Sequence, residues 1–213
     1  MKKNLVVALF CTFFSMTIFA QPKKIKLENP SFEDYPQPGS APKGWYDCGF
    51  DNETPPDILP TVQFIVLKPA KDGATYLGMV TRDNKTWEAV GQKLKYPLLP
   101  ISCYEFTVYL ATSPVYASHS RLTGKAINYV EPTKLMVYGG TRFCQQGELL
   151  IETPQVLSQD WVKYHFVIQP KKQIDHIMLM AYYATEKSTN GNILIDDLSN
   201  ITPCPCSKLY PKH

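Results

Sequence analysis

Asn29-Pro30-Ser31-Phe32-Glu33-Asp34 opens the region that reads as a folded domain, and Ile195-Asp196-Asp197-Leu198 nearly closes it. Each sets carboxylates beside apolar residues that want burial. Pro30 has no N–H for a central ladder position, so the first stretch reads as a strand end or an edge. Phe32 points to a core. The pairing of the two stretches predicts that the ends of the chain meet in a β-sandwich.

The sequence between them supports that class. Cys103-Tyr104-Glu105-Phe106-Thr107-Val108-Tyr109-Leu110-Ala111 alternates strictly, with Tyr104, Phe106, Val108 and Leu110 on one face. Further strands are predicted at Ile25–Leu27, Val62–Leu67, Tyr76–Val80, Trp87–Leu94, Lys134–Gly140, Trp161–Ile168, His176–Tyr183 and Asn192–Leu198. Turn signals such as Asp72-Gly73 and Asn190-Gly191 separate them. No stretch has a convincing helical period. Short strands at short spacing make the chain an all-β jelly-roll β-sandwich. Residues 35–60 are rich in proline and read as loop, apart from Gly44-Trp45, whose indole is expected to plug one end of the core. Residues 112–132 form the longest interruption, and a loop of that length in a compact domain is usually functional or mobile.

Residues 1–20 have the form of a signal peptide: Lys2 and Lys3, an apolar run from Leu5 to Phe19, then Ala20 before Gln21. The expected domain covers 21–203, with a tail at 204–213. Export to the periplasm, the outer-membrane surface or the medium follows from that reading. Losing Lys2 and Lys3 takes the formal charge from +3 to +1. A near-neutral product has no electrostatic footprint for nucleic acid, and no later apolar stretch is long enough to span a membrane. In an oxidising compartment the remaining Cys48, Cys103, Cys144, Cys204 and Cys206 favour disulfides over zinc, for which paired CxxC spacing is missing. Four cysteines allow three connectivities. The favoured set is Cys103–Cys144 with Cys48–Cys204, the latter because both would lie near the meeting of the chain ends, which leaves Cys206 over.

Taken in order, these pieces resemble the galactose-binding-like jelly rolls, in particular carbohydrate-binding modules, and the exported proteins of Bacteroidetes that carry similar domains. The resemblance rests on Asn29–Glu33 with Gly44-Trp45, Asp72-Gly73 before Tyr76–Met79, Gly91–Leu94 before Cys103–Phe106, and Asn192–Leu198. It implies a structural calcium (Ca2+) near the joined ends, held by the carboxylates of Glu33 and Asp196 and a backbone oxygen near Asp72. Hard oxygen ligands of that kind suit the ion.

For function, the sequence offers no nucleophile elbow, no phosphate loop and no carboxylate pair placed by a motif, although Glu88, Glu105 and Glu148 are available acids. The expectation is a non-catalytic module. Sugar recognition needs aromatic faces flanked by planar polar groups. Trp87 with Arg82 and Asn84, and Tyr116 with His119, Arg121 and Tyr129, meet that description. Core packing is the competing role for Trp87, and packing of the long loop on its own sandwich is the competing role for the rest. The expected partner is therefore a glycan. The alternative is an envelope or secretion-system accessory that docks on a protein partner.

Overall fold

The computed structural model describes residues 22–209. The expected signal peptide and the last four residues lie outside that range. Among the described residues thirteen strands, numbered along the chain, form one separate hairpin and two main sheets. One contains, in spatial order, β1 (Tyr46–Asp47), β4 (Ala89–Leu98), β11 (Ile174–Tyr183), β8 (Thr133–Gly140) and β9 (Glu148–Glu152). The other contains β10 (Val162–Ile168), β5 (Cys103–Ala111), β12 (Gly191–Asp196), β3 (Tyr76–Thr81) and β2 (Asp57–Leu59), with β13 (Thr202–Cys204) also paired to β5. A separate hairpin joins β6 (Ala117–His119) to β7 (Ala126–Asn128). Every strand pair is antiparallel. The chain is the all-β jelly-roll sandwich that the alternation predicts.

The core lies between the sheets. Tyr104, Phe106, Val108 and Leu110 of β5 enter it, and Ile193 and Ile195 of β12, Leu135 and Val137 of β8, and Ile177 and Leu179 of β11 meet them. β12 is central, with β5 and β3 on its two sides, and is buried throughout. Its unbroken apolar run Ile193-Leu194-Ile195 reflects burial on both faces.

The ends of the chain do meet. Ile25 N–H donates to Ile201 O at 2.8 Å and Ile201 N–H returns the bond at 3.1 Å. Leu198 N–H donates to Pro30 O at 3.0 Å. Phe32 is fully buried against Trp45, ring centroids 5.2 Å apart, and the Trp45 indole N–H donates to Asn29 O at 3.1 Å.

Three expectations change. Val62–Leu67 is not a strand: it folds as a turn closed by one bridge between Thr61 and Val66, with Ile65 at φ 59° and with Val62, Ile65 and Leu67 exposed. Ile25–Leu27 makes a single bridge rather than a ladder. Within the expected tail, residues 204–209 pack on the domain, because Cys204 belongs to β13 and Cys206–Leu209 form a 3-10 turn tied to β5.

Among the described residues the disulfides are Cys48–Cys144 and Cys103–Cys206, and Cys204 is the free thiol. The favoured pairings Cys103–Cys144 and Cys48–Cys204 are both corrected. Cys48 packs with Ala89, Met136, Met178 and Met180 on the outer face of the first sheet, whereas Cys204 pairs with β5 of the second. The loop after β8 folds over that same face and brings Cys144 to a Cα distance of 5.0 Å. Phe143 of this loop lies against His176, and Phe50 lies against Trp87, so the joined loops cover Met136, Met178 and Met180.

Candidate functional site

The outer face of the second sheet carries a different cover. Tyr76, Val80 and Leu194 point outward and are roofed by Tyr116 and Tyr129 from the β5–β8 connection and by Phe64 from the 61–67 turn. Phe64 stacks on Tyr116 at 5.3 Å, and Ala117 N–H donates to Phe64 O at 2.9 Å, joining the two loops. Under this roof lies a recess of about 250 Å³, lined by Asp57, Phe64, Arg82, Glu88, Tyr116 and Tyr129, with Ser118 and Arg121 at its margin. About 20 Å³ of it is open to a water-sized molecule, room for roughly one water.

Its walls follow from the strands. Asp57 of β2 is registered against Gly78 of β3. A side chain on Gly78 would come within 3.1 Å of the Tyr116 hydroxyl, so glycine lets the ring approach. Arg82 extends β3 on the outward side, two residues beyond Val80, because strand side chains alternate. Glu88 precedes β4, and one of its oxygens accepts Val80 N–H at 3.0 Å.

Arg82 is 2 % exposed. Its Nη2 donates to a Glu88 carboxylate oxygen and to Thr54 Oγ1, the latter at 2.8 Å, and its Nε lies 3.5 Å from Glu53. Its Nη1 is buried and has no protein partner. Arg121 pairs with Glu53 at 2.9 Å, and Asn84 donates to the other Glu53 oxygen at 2.7 Å. Asp57 accepts Gly39 N–H at 2.7 Å and the Tyr116 hydroxyl. Burial raises the Asp57 carboxyl to about 6, against the lowering effect of Tyr116, Gly39 and Arg82. Burial also pushes Glu88 well up, with Arg82 opposing and Asp57 adding to the rise. Tyr116 is raised by burial and by the Asp57 charge. Glu53 behaves differently: burial works against its ionisation, but Asn84, Arg82 and Arg121 together hold it below the usual range.

Of the residues expected to bind ligand, Arg82, Tyr116, Arg121 and Tyr129 come together at this recess, and Asn84 joins it through Glu53. Tyr116 and Tyr129 are 1 % exposed, so they are walls and not open stacking platforms. The Tyr129 hydroxyl donates to the His119 carbonyl at 2.6 Å, and the His119 side chain is exposed. Trp87 leaves the group altogether: it packs among Phe50 and Tyr182 on the first sheet's outer face. Glu53 and Asp57 were not anticipated, because residues 35–60 read as loop. The acid of Asp57-Ile58-Leu59, set before an apolar pair between prolines, was the available signal. The three available acids are dispersed: Glu88 pairs with Arg82, Glu105 with His165 and Lys208, and Glu148 accepts Lys171 N–H.

The expected metal residues converge on one loop, but as acceptors of hydrogen bonds. Glu33 accepts Ala74 N–H at 3.0 Å and Thr75 N–H at 3.2 Å. Asp196 accepts Lys71, Asp72 and Asp197 N–H at 2.7, 3.0 and 2.7 Å. Asp72 accepts the Ser31 hydroxyl at 2.7 Å. Among the described residues no three His, Cys, Asp or Glu side chains are grouped to hold a metal ion. Asp196 Oδ2 and Glu33 Oε1 each accept two backbone amide hydrogens, so these oxygens are engaged with the loop backbone.

Fold and recess together describe an antiparallel jelly-roll β-sandwich with a loop-roofed recess on the outer face of its second sheet. No family model matches the chain, and no curated protein matches it. Among solved structures it is similar to a cyclase from Fischerella sp. TAU, at 13% identity over 85% of this chain and 97% of that one, TM-score 0.54. It is also similar to the CBM22-1 xylan-binding domain of Paenibacillus barcinonensis Xyn10C, at 17% identity over 87% and 97%, TM-score 0.46. A third is the K3 cleaved adhesin domain of Lys-gingipain from Porphyromonas gingivalis, at 11% identity over 83% and 98%, TM-score 0.49. At these identities the likeness concerns the fold.

Proposed function

We propose that the protein is an exported, non-catalytic module that takes a hydroxyl or hydroxymethyl group of a neutral glycan into the recess beneath Tyr116. The observation that carries this is the Arg82 Nη1, a buried donor with no protein partner beside Asp57, Glu88 and Tyr116. An unmatched buried donor costs about 1–3 kcal/mol, and a ligand oxygen would relieve it. Charge decides the class of ligand. The two guanidiniums (Arg82, Arg121) already face the carboxyl groups of Glu53, Asp57 and Glu88, which leaves little net positive charge to hold an anion. A hydroxyl can accept from Arg82 and donate to a carboxylate at once. The space admits one such group, which leaves the sugar ring at the mouth beside Phe64 and Arg121. Two disulfides support the exported setting, and among the described residues no helix is long and apolar enough to cross a membrane.

Calorimetry against neutral oligosaccharides tests the proposal. Tyr116→Phe and Asp57→Asn are expected to weaken binding about tenfold, the loss of roughly one hydrogen bond, with the fold retained by circular dichroism. Unchanged affinity in both variants, or no neutral glycan bound by the folded protein, would sink it. Exposed Ile65, Leu67, Leu122 and Ile127 lie on the two loops that roof the recess and favour a second reading, docking on an envelope protein. In that case Ile65→Ser with Leu67→Ser abolishes the interaction and Tyr116→Phe leaves it intact.

A further inference from the structure

Three cysteines meet at the start of β5 in the second sheet, whereas the recess is walled from β2 and β3. β13 sets Cys204 directly opposite Cys103 of β5, and directly opposed residues of an antiparallel pair present their side chains on one face. Cys103 is already bonded to Cys206, two residues past Cys204, at a Cα distance of 5.2 Å. Cα atoms of opposed residues lie about 4.5–5.5 Å apart, within the roughly 4.4–6.8 Å that a disulfide spans. The half-buried Cys204 thiol therefore stands on the same sheet face as a disulfide it could replace. Cys103 is 3 % exposed, whereas Cys206 sits on the exposed 3-10 turn, where Gln169 Nε2 lies 3.8 Å from its sulfur.

We propose that Cys103 has two interchangeable partners, and that exchange moves the free thiol from half-buried Cys204 to exposed Cys206, where it reacts with a low-molecular-weight disulfide. In the first step the Cys204 thiolate attacks the Cys103 Sγ. The Cys103–Cys204 bond forms, the Cys103–Cys206 bond breaks, and Cys206 leaves as a thiolate that takes up the proton Cys204 gave away. The Gln169 amide hydrogen faces the departing sulfur. This step consumes no oxidant or reductant. In the second, the Cys206 thiolate attacks one sulfur of the external disulfide, forms a mixed disulfide and expels the other half as a thiolate. Cys204 is the attacking group and Cys206 the delivery group; Cys48–Cys144, on the other sheet, takes no part.

Glutathione disulfide is the probe. The purified protein is incubated with it, quenched in acid, digested without reduction and mapped by mass spectrometry. The expected product carries glutathione on Cys206 together with a Cys103–Cys204 linkage. Glutathione confined to Cys204 with Cys103–Cys206 intact, or no adduct at all, would overturn the proposal. Cys206→Ser is expected to contain a Cys103–Cys204 bond and no alkylatable thiol at this edge. Alkylation of both Cys103 and Cys204 in that variant would count against it. Cys204→Ser is expected to take up no glutathione. Should the variants fail to fold, the map of the unaltered protein decides alone.

Discussion

Asp57 shows how far one buried acid shapes the recess. Its carboxyl is raised to about 6, first by burial, above the roughly 3.9 of an unfolded aspartate. A folded value above the unfolded one means the acid's stabilising contribution is full below about pH 4 and is lost as pH rises through about 6. Asp57→Asn removes that dependence. Urea melts at pH 4 and pH 7 are expected to show the variant gaining on the unaltered protein by about 1–3 kcal/mol over the interval, on top of a constant offset from the changed hydrogen bonds. A pH-independent difference would show that Asp57 titrates normally. Asp57 escaped the sequence reading because β2 is only three residues long, between Pro55-Pro56 and Pro60. Arg82 was visible as a polar residue after a strand. That it is buried depends on Glu53 and Glu88, which meet it only once β3 and β4 are paired.

At the scale of the element, the 71–75 loop is held by carboxylates from both ends of the chain. Asp196 satisfies two amide hydrogens there, those of Lys71 and Asp72, and the Asp197 amide beside it, and burial raises it to about 6. Gly73, at φ 63°, lets the loop turn against the Glu33 carboxylate, which a side chain would displace. Asp196→Ala is expected to cost on the order of 3 kcal/mol by stranding those donors, measured by denaturant unfolding. A chelator is expected to leave the melting temperature unmoved. A fall of several degrees, restored by added calcium, would instead establish the cation that the jelly-roll resemblance implies. Asn29–Asp34 and Ile195–Leu198 were legible as a meeting place because proline and paired acids mark a strand end. The partner of each acid was not legible, since loop backbone amides leave no signature in side-chain sequence. Val62–Leu67 was misread for a related reason: β-branched residues favour strands, but here they close a turn over the second sheet.

Across the whole molecule, both sheets are covered on their outer faces, and each cover is tied down. The Cys48–Cys144 bond closes a separation of 96 residues, and replacing both cysteines with serine is expected to cost about 4 kcal/mol in thermal or denaturant unfolding. The same variant uncovers Met136, Met178 and Met180, so a hydrophobic dye should bind it more strongly; unchanged dye binding would show that the loops stay in place without the bond. The sequence by itself determined the class. Period-two alternation, aromatic and β-branched strands and proline-marked ends admit an all-β sandwich, because those patterns act locally along each strand. Only the tertiary structure decided which cysteines pair, which acids surround Arg82, and that Trp87 and Tyr116 serve opposite sheets. Those outcomes depend on how loops distant in sequence fold across a sheet face, and side-chain spacing along one strand carries no record of what another loop lays over it.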